Sequence, residues 1–388
     1  MGAWFHYHSG MPEKPLIRME RLGEPNPKST ERFCRFKTWL ARQNSEVSYP
    51  NSKNVSASLL RQKFSHKQCQ IVATDPIGNW VSHLVARVSP TLTDQENRPL
   101  GMLGFFESVN SPEAVQQILT NAIQWLNEQN CHSIVGPIDG DTWHAYRFNV
   151  GPVEEPAFLS EPANPAYYPE LWQAAGFESA AGYHSKVVDD ISAIIPVVKT
   201  AYDAAVSKGY SFRTIELANF DAELEVLYRL SVESFDQNFL YDPISLDEFK
   251  TLYVDAKPLV DQDLVWIATD ATGNDVGFLF CIVDYSEAIR AMQGKSNLLA
   301  KLKFALNRRR AAAVNFKSIC VTPDHRRSSV AAALMHQGYV AAVAKGFRRA
   351  NLCLIRDGNP STKLDGGQSR LLRRYELYMT PNSNLKIS

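Results

Sequence analysis

The chain has 388 residues, and its 41 Lys and Arg side chains balance its 41 Asp and Glu side chains. Because the net charge is zero, the chain as a whole does not attract phosphates, which argues against a nucleic-acid-binding protein. The six cysteines form no CxxC pair of the kind that is typical of a zinc site. The length predicts two globular domains. No apolar run is long enough to span a membrane and no signal-peptide core is present, so we expect a cytoplasmic protein. In that compartment the scattered cysteines are expected to be reduced thiols, and we expect no metal.

Elements of a mixed α/β unit follow one another in the first half of the chain. Residues 100–108 are apolar and predict a buried strand. The triplet Ser-Pro-Glu at 111–113 predicts a helix start, because a capping side chain, a first-turn proline and an acid each suit a helix N-terminus. Residues 132–137 predict a second strand, and residues 165–176 predict a helix that ends at a glycine.

The same order of elements recurs about 215 residues later. Residues 314–321, 330–345, 350–355 and 361–379 predict a strand, a helix, a strand and a helical stretch. Two copies of one unit predict a tandem protein with a mixed α/β sheet, whose halves meet near the helical segment 191–208. Ahead of the second copy we expect a strand at 210–217, helices at 221–235 and 246–253, a hairpin of 264–269 with 276–284, and an insertion at 287–310.

The turn after the strand 314–321 has the features of an anion-binding site. The apolar run ends at Val321, a short polar turn follows, and a helix begins near Val330. The first amides of a helix lack internal partners and its dipole adds positive charge, so anions bind there. Arg326 and Arg327 add fixed positive charge to the same turn. We therefore expect a ligand that carries phosphate groups.

The segment 321–331, Val-Thr-Pro-Asp-His-Arg-Arg-Ser-Ser-Val-Ala, resembles the V-x-P-x-x-[RQ]-x-x-G-x-[GA] motif of GCN5-related N-acetyltransferases. Asn359 follows the next predicted strand, as an asparagine does in that family. The resemblance implies that the turn binds the pyrophosphate of coenzyme A and that the preceding strand pairs with the pantetheine arm. By position, it assigns coenzyme contacts to Cys320, Val321, Arg326, Arg327, Ser328, Ser329, Val330, Ala331, Asn359 and Ser361.

Two positions depart from the family motif. Ser329 stands where the family has glycine, and Arg327 fills another position where glycine is frequent. Glycine lets a backbone approach phosphate closely and adopt a positive φ, so the coenzyme site is predicted to be weakened. A degenerate domain that has lost the coenzyme is the alternative interpretation, although the serine hydroxyl and the arginine can themselves reach phosphate.

The first half resembles a second, more diverged domain of the same type, so residues 1–195 and 196–388 are predicted to be tandem domains. Its corresponding turn, 107–112, contains a glutamate and a proline but neither arginine nor glycine. The acid already satisfies the helix dipole and the proline removes a backbone donor, so we expect no coenzyme there. Three further segments are similar to parts of uncharacterised bacterial tandem acetyltransferase-like proteins: 136–147, 161–165 and 183–185.

Acetyl transfer needs a polarised thioester, a neutral amine and a proton for the leaving thiolate. The resemblance implies a tyrosine acid after the asparagine; Tyr375 is the first tyrosine beyond Asn359 and is our candidate, with a packed aromatic as the alternative. Cys320 offers a thiol nucleophile, but a cysteine inside an apolar strand is more often inert. Arg308–Arg310 suit the ribose phosphate of the coenzyme or a solvated surface patch.

Trp143, Tyr146 and Arg147 form an aromatic and cationic cluster in a turn-rich segment. Loops carry binding groups, and an arginine can pair with a carboxylate of an acceptor, so the three residues are candidates for substrate binding. A structural contact between the two halves is the alternative, because Trp and Tyr also anchor interfaces.

The sequence therefore predicts an N-acyltransferase that transfers an acyl group from acetyl-CoA or another acyl-CoA to a small-molecule or peptide amine. The second half would be catalytic, and the first half would shape the acceptor cleft. A rival interpretation is a non-catalytic binding or scaffold protein of the same fold, and a third is a transferase for an aminoacyl or long acyl donor. No metal, nucleic acid or membrane is expected as a partner, and the residues indicate neither the acceptor nor the oligomeric state.

Overall fold

The computed structural model describes residues 17–44, 60, 67–254, 256–295, 297–381, 383 and 385. The strands are β1 (Arg18–Gly23), β2 (Gln68–Thr74), β3 (Trp80–Thr93), β4 (Pro99–Ser108), β5 (Ile134–Gly136), β6 (Phe148–Gly151), β7 (Glu178–Val188), β8 (Ser211–Thr214), β9 (Val265–Thr269), β10 (Asp275–Val283), β11 (Ala313–Val321), β12 (Arg349–Arg356) and β13 (Arg370–Met379). The helices are α1 (Pro27–Gln43), α2 (Pro112–Glu128), α3 (Tyr167–Ala174), α4 (Ile191–Ser207), α5 (Phe220–Phe235), α6 (Leu246–Val254), α7 (Ser286–Ala291), α8 (Leu298–Asn307) and α9 (Val330–Ala344).

One continuous sheet runs through both halves. The described residues form 13 strands in the order β1-β2-β3-β4-β5-β13-β7-β12-β11-β10-β9-β8, and β6 pairs with β13. Helices cover both faces, which explains why β10 is apolar at consecutive positions: Leu279 packs with α4 and α9, whereas Phe278 and Phe280 pack with α5 and α6. The fold class is the mixed α/β arrangement that the sequence predicts.

The repeated unit that the sequence predicts is present in both halves. In the first, β4 leads into α2 and pairs in parallel with β5; in the second, β11 leads into α9 and pairs in parallel with β12. Ser111 caps α2 by accepting a hydrogen bond from the Ala114 amide at 3.2 Å, as its sequence indicates. In α9, a Cβ at Gly338 would lie 2.5 Å from a methyl carbon of Leu279, so glycine is needed where this helix meets the sheet.

The predicted helical stretch over 361–379 is wrong. The structure has a single 3₁₀ turn, Pro360–Lys363, followed by the strand β13. Gly366 and Gly367 lie between them with φ of +57° and +76°, a left-handed conformation that interrupts a helix. The remaining predicted elements agree with the structure to within a few residues at their ends.

The last strands of the two halves are exchanged. β7, which ends the first half, pairs with β12 of the second half, and β13, which ends the second half, pairs with β5 of the first. β7 and β13 also pair with each other over most of their lengths. The predicted domain boundary after residue 195 lies inside α4, which packs against α9. Each half therefore completes the sheet of the other.

We predict that a fragment of residues 195–388 will be poorly soluble, and that residues 177–388 will be more soluble. The shorter fragment lacks β7, so β12 and β13 lose the strand that joins them and expose unpaired edges. The soluble fraction of each fragment, expressed at matched levels, is the measurement. Equal solubility of the two fragments would show that β7 does not protect the second half.

Candidate functional site

β11 and β12 run parallel at first and then separate. Their pairing ends at Phe316 and Leu352. Both strands are irregular at this point, because Lys317 is an extra residue relative to β10 and Leu354 adopts a φ of +58°. A bulge bends its strand and disrupts pairing. Beyond the last pair, the facing edges of β11 and β12 are no longer bonded to each other.

A cavity of about 450 Å³ lies where the strands separate, and we name it the strand gap. Residues 317–319 of β11 and residues 353–356 of β12 line it. Aromatic and apolar side chains from both halves complete the lining: Tyr146 and Tyr183 from the first, and Phe235, Phe239, Leu279 and Met335 from the second. An extended ligand in this gap can bond to strand edges while its apolar parts contact side chains.

The loop after β11 reaches α9 through a left-handed residue. Ser329, immediately before the helix, has a φ of +71°. This conformation costs an L-residue about 1–2 kcal/mol, and glycine avoids that cost. The family motif has glycine at this position, and the backbone here has the left-handed conformation that glycine adopts readily, although the residue is serine. Val330 is buried beneath the loop, while Ser328 donates to the carbonyl oxygen of His325.

The two arginines of this loop differ in their surroundings. Arg326 donates to the carbonyl oxygen of Ser234 in α5 at 2.9 Å. Its Nε lies 3.5 Å from the carbonyl oxygen of Val321. It therefore ties the loop to α5. Arg327 is exposed and makes no ion pair with a residue that the structure describes. Arg327 and the first amides of α9, at Val330 and Ala331, are the groups of the loop most available to an anion.

The structure places different side chains from those predicted along the strand gap. The Cys320 sulfur lies 3.7 Å from the Leu230 carbonyl oxygen in α5, and the Val321 side chain packs in the core with α9. Ser318 and Ile319 line the gap instead. Burial raises the pKa of the Cys320 thiol to about 12, which agrees with an inert cysteine and not with a nucleophile.

Asn359 and Ser361 lie at the strand gap, where the sequence predicts coenzyme contacts. The Asn359 side-chain oxygen accepts a hydrogen bond from the Ser361 amide at 2.9 Å and so caps the 3₁₀ turn that follows β12. The turn brings both residues to the side of the gap opposite β11.

Tyr375 lies behind the wall of the strand gap and does not line it. Its hydroxyl donates to the buried carboxylate of Glu161 and lies 3.1 Å from the Ser185 hydroxyl, which in turn accepts the amide hydrogen of Leu354 in the gap wall. Burial raises the pKa of Glu161 to about 7, although Arg373 and Tyr375 both favour its charged form. Burial also raises the pKa of Tyr375 itself. The hydroxyl thus reaches the gap only through Ser185.

The three predicted substrate residues have separate positions. Trp143 donates to the Asp242 carbonyl oxygen at 2.8 Å and packs on Phe249, which is the inter-half contact that the sequence gives as its alternative. Tyr146 lines the gap. Arg147 is only 7% exposed, and its guanidinium carbon lies 3.7 Å from the centre of the Tyr146 ring and 4.0 Å from that of Tyr183.

Lys317 is a site residue that sequence reasoning missed. Its side chain lines the strand gap, and no acidic side chain of the described residues pairs with it. The side chain is exposed to the solvent of the gap, and desolvation by the protein atoms around it lowers the pKa of its amine. The signal in the sequence is a lone lysine inside the otherwise uncharged run 313–321.

The equivalent space in the first half is closed. A Cβ at Gly104 of β4 would lie 1.9 Å from the Ile138 carbonyl oxygen, so the chain after β5 lies directly against β4. The Phe105 amide donates to the Asp139 carboxylate at 2.5 Å. Glu107, at the turn, is buried and pairs with Lys37 at 2.9 Å. The first half therefore has no opening beside β4 like the strand gap in the described residues.

Comparisons with known proteins agree with this geometry at the level of the fold. No protein-family model matches the chain. A region of a fungal multi-domain GH3 β-N-acetylglucosaminidase, described as a unique GCN5-related glucosamine N-acetyltransferase, superposes on 96% of this chain and 39% of that one, with a TM-score of 0.55 and 12% identity. A tandem protein of the same fold from the clavulanic acid biosynthesis pathway superposes on 94% of this chain and 98% of that one, with a TM-score of 0.53 and 11% identity. The chain has the tandem GCN5-related N-acetyltransferase fold.

Two curated proteins have similar sequences over part of their length. The chain is 21% identical over 234 residues to the bacterial ceramide synthase of Caulobacter vibrioides, which is 60% of each protein. It is 23% identical over 269 residues to protein YghO of Escherichia coli, which is 63% of this chain and 65% of that protein. The chain thus spans less than two thirds of the length of these relatives.

Two further observations bear on this GCN5-related fold. Within the described ranges, no group of three or more His, Cys, Asp or Glu side chains is arranged to hold a metal ion. Among the helices that the structure describes, none combines the length and apolarity needed to span a bilayer.

We predict that Ser329→Gly raises the free energy of unfolding by about 1 kcal/mol, because glycine relieves the left-handed φ of +71°. Coenzyme binding should be kept or improved. The matched control is Ser328→Gly, where φ is not left-handed and a hydrogen bond to His325 is lost, so stability should fall. Urea unfolding measures both. A less stable Ser329→Gly would mean that the serine hydroxyl has a role this geometry does not explain.

Proposed function

We propose that the protein is an acyl-CoA-dependent N-acyltransferase whose donor binds in the strand gap. The observation that carries this proposal is the separation of β11 from β12 directly before the loop and helix start at 322–330. The pantetheine arm contains two amide groups, which can bond to open strand edges as a further strand would. The pyrophosphate would meet Arg327 and the first amides of α9.

The reaction would join the acyl carbon to an amine. The amine nitrogen attacks the thioester carbonyl, the C–N bond of an amide forms, the C–S bond breaks, and coenzyme A leaves as its thiol while the amine loses a proton. Lys317 is our candidate to accept that proton, since its lowered pKa increases the fraction of neutral amine at a given pH. Tyr375 remains a candidate proton donor, acting through Ser185.

The acceptor would approach from the side formed by the first half. Tyr146 and Tyr183 line the strand gap there, and the Arg147 guanidinium lies against both rings. This arrangement supports a first half, residues 1–195, that shapes the acceptor cleft and holds no coenzyme. One relative is named a ceramide synthase. Because a ceramide is an amide of a fatty acid with a long-chain amino alcohol, such an amine is a suitable acceptor to test first.

A second candidate function is a binding protein that holds acyl-CoA without turnover. Two observations favour it: Tyr375 is fully buried behind the wall of the gap, and Arg326 is bonded to protein carbonyl groups. Binding and turnover must therefore be measured separately.

We expect Arg327→Ala to weaken acetyl-CoA binding by about 1–3 kcal/mol, the range of a charged hydrogen bond, and Arg326→Ala to weaken it by releasing the loop from α5. Arg326→Ala should also lower thermal stability, because the loop loses its bond to α5, whereas Arg327→Ala should not. Calorimetric titration and thermal unfolding measure the two effects. Arg309→Ala is the control, and a loss of affinity there would instead support the ribose-phosphate role of Arg308–Arg310. Unchanged affinity in both loop variants would count against the site.

Turnover is tested by release of free coenzyme A thiol from acetyl-, octanoyl- and palmitoyl-CoA, with glucosamine, a lysine peptide and a long-chain 2-amino-1,3-diol as acceptors. We expect Lys317→Met to lower kcat by about 10²-fold or more while retaining acyl-CoA affinity. Acyl-CoA binding without thiol release for any acceptor would favour the binding protein. Full turnover in Lys317→Met would exclude Lys317 as the base.

The stability of the same variant checks the state of the amine. Because the pKa of Lys317 is lowered in the folded protein, the folded state binds fewer protons than the unfolded state. The penalty for desolvating the charged amine is fully present below the folded pKa and disappears as the pH rises towards the ordinary value of 10.5. The wild type should therefore gain stability relative to Lys317→Met as the pH rises, and a difference independent of pH would contradict a lowered pKa.

A further inference from the structure

Helix α8 exposes a set of leucines that nothing in the described structure covers. The exposed fractions are 85% for Leu298, 61% for Leu299, 54% for Leu302 and 65% for Leu306. Four large apolar side chains on a ten-residue helix form a continuous patch, whereas single exposed leucines elsewhere on a protein need no explanation.

The arrangement of α8 is that of an amphipathic helix with its apolar side outward. Ala300 is buried and Phe304 packs on Tyr285, so these residues mark the side that faces the protein. At about 100° per residue, the four leucines lie within an arc of about 100° on the opposite side. Lys301 and Lys303 lie at the two borders of that arc. Apolar residues between flanking lysines are typical of helices at the surface of a bilayer.

The charge of this region is strongly positive although the whole chain is neutral. The segment 295–310 contains Lys295, Lys301, Lys303, Arg308, Arg309 and Arg310 and no carboxylate. In the described structure, none of these six cations forms an ion pair, and Arg308–Arg310 are exposed after the end of α8. The patch therefore combines an apolar surface with uncompensated positive charge.

We propose that α8 and Arg308–Arg310 bind the surface of an anionic lipid bilayer, with the leucines inserted among the acyl chains and the cations at the headgroups. This proposal does not depend on the acyltransferase proposal, and it differs from the sequence-based expectation of no membrane partner. A second copy of the chain is a poorer partner, because a two-fold contact through this patch would bring like charges together. Anionic headgroups compensate the cations directly.

Co-sedimentation of the full chain with phosphatidylcholine vesicles, and with vesicles that also contain phosphatidylglycerol, tests the proposal. We expect binding to the anionic vesicles that weakens in high salt. The double variant Leu302→Asp/Leu306→Asp should lose at least tenfold in partitioning. Ile77→Asp is the matched control, because Ile77 is as exposed as Leu298, and it should bind as the wild type does. Removing Arg308, Arg309 or Arg310 should lower the preference for anionic vesicles by about fivefold per charge.

Thermal unfolding should be unchanged in all these variants, since the replaced side chains are exposed. Equal vesicle binding by the wild type and the double leucine variant would overturn the proposal, and so would an absence of binding to both kinds of vesicle. A concentration-dependent dimer that the double leucine variant abolishes, without vesicle binding, would assign the patch to a second copy and also overturn it.

Discussion

The separation of β11 from β12 after Phe316 and Leu352 is the constraint on which the rest of the site depends. The bulge at Lys317 bends one strand and the left-handed Leu354 bends the other, so the two edges diverge within a sheet that is otherwise continuous. Without that divergence there would be no strand gap, and the open strand edges would not lie next to the loop before α9. The same bulge also brings Lys317 to the gap.

The two halves differ because one kept this opening and the other closed it. In the first half the Ile138 carbonyl lies against Gly104 and the Asp139 carboxylate accepts the Phe105 amide hydrogen. The exchange of β7 and β13 then joins the closed half to the open one, and places Tyr183 of β7 beside β12. A closed first half can therefore stabilise the second half and contribute to its site without binding coenzyme itself.

Local sequence signals account for most of the fold and only part of the site. The cap at Ser111 and the apolar runs of β4 and β11 are local, and they predict the repeated unit correctly. The pairings of β7 and β13 connect residues far apart in the chain, so no local pattern indicates them. The local pattern over 361–379 predicts a helix where the structure has β13. The predicted coenzyme contacts at Cys320 and Val321 come from their positions in the family motif, and a motif position does not fix where a side chain points. With the bulge at Lys317, the Cys320 sulfur faces α5, and Ser318 and Ile319 line the gap.

Amide hydrogen exchange with and without saturating acetyl-CoA tests whether acyl-CoA binds in the strand gap of the second half. We expect slower exchange at residues 317–319 and 353–356 and at the loop 327–332, with no change at residues 103–112 of the first half. Protection at 103–112 in place of the strand gap, or no protection at either location, would contradict it.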